Sequence, residues 1–131
     1  MVDDKPAFRI LLAEDLMLNQ KLTQRLLSRS GYHIDIVENG MQAVEAVRRA
    51  DYDVVLMDVQ MPKVDGLEAT KQIRALPPPK CDVPIIALTA QANAGAEELC
   101  LAAGMNDYIS KPINFDIFFT KLSALAAKRG M

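Results

Sequence analysis

The sequence predicts an α/β fold, a doubly wound parallel sheet of five strands with helices on both faces, and three observations lead there. Short apolar runs alternate with segments of helical period down the whole chain. Strict alternation of strand and helix requires parallel crossovers, and their right-handedness leaves few topologies. Acidic, hydroxyl and cationic residues stand just after the apolar runs, where open parallel sheets carry their ligands.

Each element has its own warrant. Phe8 to Ala13 is an apolar run that reads as a buried strand. Met17 to Ser30 carries Leu18, Leu22 and Leu26 at four-residue spacing, one helical stripe, with Gly31 placed to end it. His33 to Val37 alternates polar and apolar residues, as expected of a strand near an edge. Asn39-Gly40 reads as a turn, and Met41 to Ala50 as a helix buried through Ala43, Val44 and Val47. Asp53 to Met57 is the third strand. Asp65 to Ala75 is the third helix; Asp65 and Glu68 have capping-box spacing, and prolines follow Leu76. Val83 to Leu88 is a strand with Pro84 near its start, where a missing N–H costs least. Ala92 to Ala103 is an alanine-rich helix closed by Gly104. Asn106 to Ser110 is the last strand, and Asn114 can cap a final helix reaching Lys128.

The 131 residues fit one domain, expected to span 1–131 with its core at about 8–127. A chain of this length buries roughly 68% of its unfolded surface, so it needs neither disulfide nor structural metal to fold. The net charge of −2 argues against a broad nucleic-acid footprint. No apolar run approaches the ~20 residues that span a bilayer, and the acidic start lacks the regions of a signal peptide. Cys81 and Cys100 are too few for a disulfide framework and read as cytosolic thiols. The scattered methionines read as core filler, and the lone His33 as a surface strand residue.

The strand ends hold the chemistry. Glu14 and Asp15 follow the first strand, Asp58 ends the third, Thr89 ends the fourth, and Lys111 precedes Pro112 after the fifth. Strand-end loops of a parallel sheet are neighbours, so these groups converge. Clustered carboxylates oppose one another's ionisation and need cations to offset them. Lys111 is one. A hard divalent ion such as Mg²⁺, which prefers oxygen ligands, is the natural second, with Mn²⁺ as a substitute. An Asp nucleophile, a metal, a lysine and a hydroxyl donor are the parts phosphoryl transfer uses. Alone, Asp58 would be a strand-end turn residue and Glu14-Asp15 a solvated loop; the convergence is what speaks for chemistry.

The matching segments are Ile10 to Asp15, Val54 to Pro62, Asp65-Gly66-Leu67, Pro84 to Ala90 and Tyr108 to Pro112. On these the chain resembles the receiver domains of two-component response regulators, over about Phe8 to Ala127. The resemblance implies a flavodoxin-like strand order of 2-1-3-4-5. It implies that Asp58 is phosphorylated by a histidine kinase or histidine phosphotransfer protein. Glu14, Asp15, Asp58 and the backbone carbonyl of Gln60 would hold Mg²⁺. Lys111 would pair with Asp58 and then with the phosphoryl oxygens. Thr89 would donate its hydroxyl to the phosphoryl group, and Tyr108 would be the switch aromatic. The readout surface would be the fourth helix, fifth strand and fifth helix, around Ala92 to Leu125. Asn19-Gln20 and the run Met57 to Thr70 look most like receivers of hybrid sensor kinases. A stand-alone receiver is the other setting, as a monomer or a phosphorylation-dependent dimer with no direct nucleic-acid or membrane contact.

Three rivals are weaker. A phosphatase of the haloacid dehalogenase type wants an acid two residues after the nucleophile, where this chain has Gln60. Nucleotide binding lacks both glycine-rich phosphate motifs. A phosphorylation-independent interaction module would not need all five site positions.

Overall fold

A computed structural model describes residues 9–29, 32–59, 66–78, 80–89, 94–110 and 115–128. Five strands alternate with five helices: β1 (Arg9–Ala13), α1 (Met17–Arg29), β2 (His33–Val37), α2 (Gly40–Arg49), β3 (Val54–Asp58), α3 (Gly66–Arg74), β4 (Ile85–Thr89), α4 (Ala94–Ala103), β5 (Asp107–Ser110) and α5 (Phe115–Lys128). A 3-10 turn, Lys80–Asp82, precedes β4. The strands form one parallel sheet in the order β2-β1-β3-β4-β5.

Period-two alternation divides the core between the faces. Leu11, Ala13, Val55, Met57, Ile85 and Ala87 pack against α2, α3 and α4 through Ala43, Val44, Val47, Ala69, Ile73 and Cys100. Ile10, Leu12, Val54, Leu56, Ile86 and Leu88 pack against α1 and α5 through Leu27, Phe118 and Leu122. Each fully buried side chain of this size contributes roughly 1.5–3 kcal/mol of transfer free energy. β3 and β4 are buried throughout, whereas β2 is exposed or half-buried along its length, as its alternating sequence predicts for an edge.

Several expectations need correction. The Leu18–Leu22–Leu26 stripe is not the buried face of α1: Leu18 is 70% exposed and Leu22 49%, while Thr23 and Leu27 are buried. Leu27 lies nine residues from Leu18, half a helical turn out of phase at 3.6 residues per turn, so the two point to opposite sides. Met17 and Met41 are exposed rather than core, although Met57 and Met105 are buried. Asn39-Gly40 is a helix start: the Asn39 side chain accepts the Gln42 N–H at 2.9 Å as the N-cap of α2. β4 begins at Ile85 because Val83 closes the 3-10 turn through its N–H to Lys80. Asn106 sits just ahead of β5, its side-chain oxygen accepting the Ile85 N–H at 2.8 Å. The proposed caps Asp65 and Asn114, and residues 92 and 93 of the fourth helix, lie outside the described residues.

Gly104 ends α4 as expected. Its φ of +110° is open to glycine, and the Met105 N–H bonds the Cys100 carbonyl while the Gly104 N–H bonds that of Leu101.

Candidate active site

Strand register builds the site. Ala13 is level with Met57, so Glu14 and Asp58 leave adjacent strands at the same height. The Glu14 N–H still bonds the Val37 carbonyl at 3.0 Å, which carries the sheet one residue past β1. Here strand order reverses: the chain goes from β1 outward to β2, then returns to β3 on the other side. That is the crevice where doubly wound sheets bind ligands.

Glu14 and Asp58 are 2% and 4% exposed, and Asp15 is open to solvent. One carboxylate oxygen from each of Glu14, Asp15 and Asp58 lies within 4.8 Å of the others. Burial of acids in a group costs free energy unless a cation compensates. The donors are all hard oxygens, two sheltered and one accessible, which suits a Mg²⁺-type ion that keeps several waters. The residues present therefore fit the cation that the sequence implies.

The Glu14 carboxylate accepts the Leu16 N–H at 3.2 Å, and the Glu14 carbonyl accepts the Gln20 side-chain amide at 2.6 Å. Past Asp58, the Val59 N–H bonds the Leu88 carbonyl and the Gly66 N–H bonds the Val59 carbonyl, at 3.0 and 3.1 Å. Gly66 packs so close that a Cβ there would stand 2.3 Å from the Asp58 carbonyl oxygen and 2.9 Å from Val59 Cα. The Asp-Gly-Leu segment was legible as a motif, but this close approach was not.

Thr89 ends β4, buried, one strand over from Asp58. Tyr108 in β5 is half-buried, pairs with Ala87 in register and packs on the core face shared with α2, α3 and α4. The structure thus brings Glu14, Asp15 and Asp58 together and sets Thr89 on the neighbouring strand end. Gln60 and Lys111 lie outside the described residues.

The response regulator receiver domain pattern matches residues 10–123. The chain belongs to that family. Relatives of this receiver include the hybrid signal transduction histidine kinase B of Dictyostelium discoideum, 46% identical over an aligned length of 115 that covers 80% of this chain and 6% of that protein. The histidine-protein kinase BarA of Escherichia coli (strain K12) is 40% identical over 111 residues, 85% of this chain and 12% of that one. The chain therefore spans only a small part of the curated relatives it matches. Among solved structures, the receiver domain of the sensor histidine kinase PA1611 from Pseudomonas aeruginosa, with a magnesium ion coordinated in its active-site cleft, is 42% identical with a TM-score of 0.84, covering 92% of this chain and 98% of that one. The Saccharomyces cerevisiae complex of the histidine phosphotransfer protein Ypd1 with the receiver domain of Ssk1 matches at 27% identity and a TM-score of 0.87, covering 96% and 93%.

Proposed function

We propose that this receiver accepts a phosphoryl group on Asp58 from the phosphohistidine of a histidine kinase or histidine phosphotransfer protein. The observation that carries the reading is the three-carboxylate cluster of Glu14, Asp15 and Asp58 at the sheet's switch point. An Asp58 carboxylate oxygen attacks phosphorus, a P–O bond forms, and the P–N bond to the donor imidazole breaks. The imidazole nitrogen keeps the bonding electron pair. When bound, Mg²⁺, or Mn²⁺ in its place, supplies neutralisation of the acceptor carboxylate and the incoming phosphoryl oxygens. Glu14 and Asp15 would hold that ion with Asp58 and, as the family resemblance implies, the Gln60 carbonyl. Lys111 adds a second positive charge.

Thr89 then donates its hydroxyl to the phosphoryl group, and Tyr108 follows it inward. These contacts differ between the two states, so they shift the population. The readout is the α4–β5–α5 surface, where Leu99, Leu101 and Ile117 are exposed. It acts in a monomer or in a phosphorylation-dependent dimer. The chain promotes its own phosphorylation and hydrolysis and turns over no external substrate. It works in the cytoplasm, where phosphohistidine is made from ATP, and its two unpaired cysteines suit that compartment. No helix among the described residues is long and apolar enough to cross a membrane.

The test is intact mass after incubation with acetyl phosphate and Mg²⁺. One phosphoryl adduct is expected, absent with EDTA and absent in Asp58→Asn. A folded, Mg²⁺-supplied protein without an adduct would overturn the reading and leave a receiver-shaped interaction module.

A further inference from the structure

We propose that Gln20 is a positioning residue for the cation site, an inference that rests on the reading of Glu14, Asp15 and Asp58 as metal ligands. Glu14 marks the point where β1 leaves the sheet. Its N–H still pairs with Val37, but its carbonyl is held from a different element, by the Gln20 side-chain amide at 2.6 Å. Gln20 lies in the first turn of α1, and its own N–H bonds the Leu16 carbonyl at 3.0 Å. Helical side chains lean toward the helix N-terminus, which lets a residue there reach six positions back along the chain. The Leu16 N–H in turn holds the Glu14 carboxylate at 3.2 Å.

These bonds close the 14–16 turn into a fixed loop. The first acid is Glu, one methylene longer than Asp and with one more torsion to fix. A longer arm reaches a metal reproducibly only if backbone and carboxylate are both restrained. Gln20 restrains the backbone and Leu16 the carboxylate, so the acid pair is aimed before any ion arrives. Groups that orient ligands in this way typically change metal affinity by roughly 10–100-fold when removed.

The experiment is a titration of the isotope-labelled chain with MgCl₂, followed through backbone and side-chain amide resonances. Three variants are compared: Gln20→Met, of similar length and helix propensity, Gln20→Ala, and Gln24→Met one turn further on as a control. Gln20→Met and Gln20→Ala should weaken Mg²⁺ binding about tenfold, with Gln24→Met unchanged. Their Mg²⁺ half-saturation for labelling by acetyl phosphate should rise in parallel, while the rate at saturating Mg²⁺ stays within about twofold of the unmodified chain, since the acceptor itself is untouched. In the unmodified chain, the Gln20 side-chain amide protons should shift with the same midpoint as the Asp15 amide.

A folded Gln20→Met with unchanged Mg²⁺ affinity would overturn the proposal, as would Gln20 amide protons that do not respond to Mg²⁺. The second result needs no variant to fold. The two readings separate cleanly. Absence of any Mg²⁺ response at Glu14, Asp15 and Asp58 in the unmodified chain would overturn the metal reading itself. A normal response there with an indifferent Gln20 would overturn only this inference.

Discussion

The two ends of the sheet treat charge in opposite ways. At the N-terminal end, the carboxylates have donor partners. Asp53 accepts the Arg9 N–H at 2.7 Å, and Asp35 accepts the Tyr52 hydroxyl at 2.7 Å with Arg9 and His33 close by. Arg74 reaches the same end from α3. Its guanidinium donates to the carbonyls of Cys81, Val83 and Gly104 and to the Asn106 side chain, all at 2.7–2.8 Å. At the C-terminal end, three carboxylates are gathered within reach of one another, and that of Glu14 also accepts the Leu16 N–H at 3.2 Å. Paired acids tie elements together. Acids gathered in one place oppose one another's charge, which a cation offsets, and such arrangements mark functional sites.

Substitutions at the two ends should therefore fail differently. The largest expected effect is that of Asp58→Asn, which should abolish the phosphoryl adduct by intact mass. The variant should stay folded, because Asn keeps the shape of the side chain while removing one charge from the acidic group. A marked loss of stability would show that Asp58 is a structural partner like Asp53 and erase the contrast.

At the opposite end, Arg74→Met should cost about 3 kcal/mol by urea denaturation, since several acceptors lose a charged donor at once. The folded fraction should still be labelled by acetyl phosphate. Loss of labelling in folded protein would mean the two ends are coupled.

Gly66→Ala should combine both kinds of damage on a smaller scale. Its Cβ would meet the Asp58 carbonyl oxygen at 2.3 Å, so β3 or the start of α3 must shift. We expect a loss of about 2 kcal/mol and slower adduct formation. Unchanged stability and labelling would show that this approach is readily relaxed.

The smallest effect is a titration. Burial, then the hydrogen bond to Asp35, push the Tyr52 phenol from 10.0 up to about 12. The neutral phenol is thus favoured in the folded state. Its contribution to stability is fully present below the unfolded value of 10.0 and is lost as pH rises through about 12. Ultraviolet titration should show one late-ionising tyrosine that disappears in Tyr52→Phe. A titration unaltered by that substitution would remove Tyr52 from the paired network.

Much of this was legible in the sequence because it depends on local order alone. Alternating runs specify strand and helix, and buried central strands read as continuous apolar stretches. Residues just past parallel strands must share an edge, which is why the order of residues alone places Glu14, Asp15, Asp58 and Thr89 together. Even the edge position of β2 follows from its alternation.

Tertiary structure decided what order along the chain leaves degenerate. Helix α1 has leucines on two sides, and only packing against the sheet and α5 selected Leu27 over Leu18. The Arg74 clamp joins residues up to 32 positions apart, a distance over which no periodic signal survives. Gln20 and Gly66 likewise became informative only when the fold set one against the Glu14 carbonyl and the other against Asp58. The kinds of groups at the site were written in the order of the residues, whereas their spacing and orientation are set by long-range contacts that become favourable only once the chain has closed on itself.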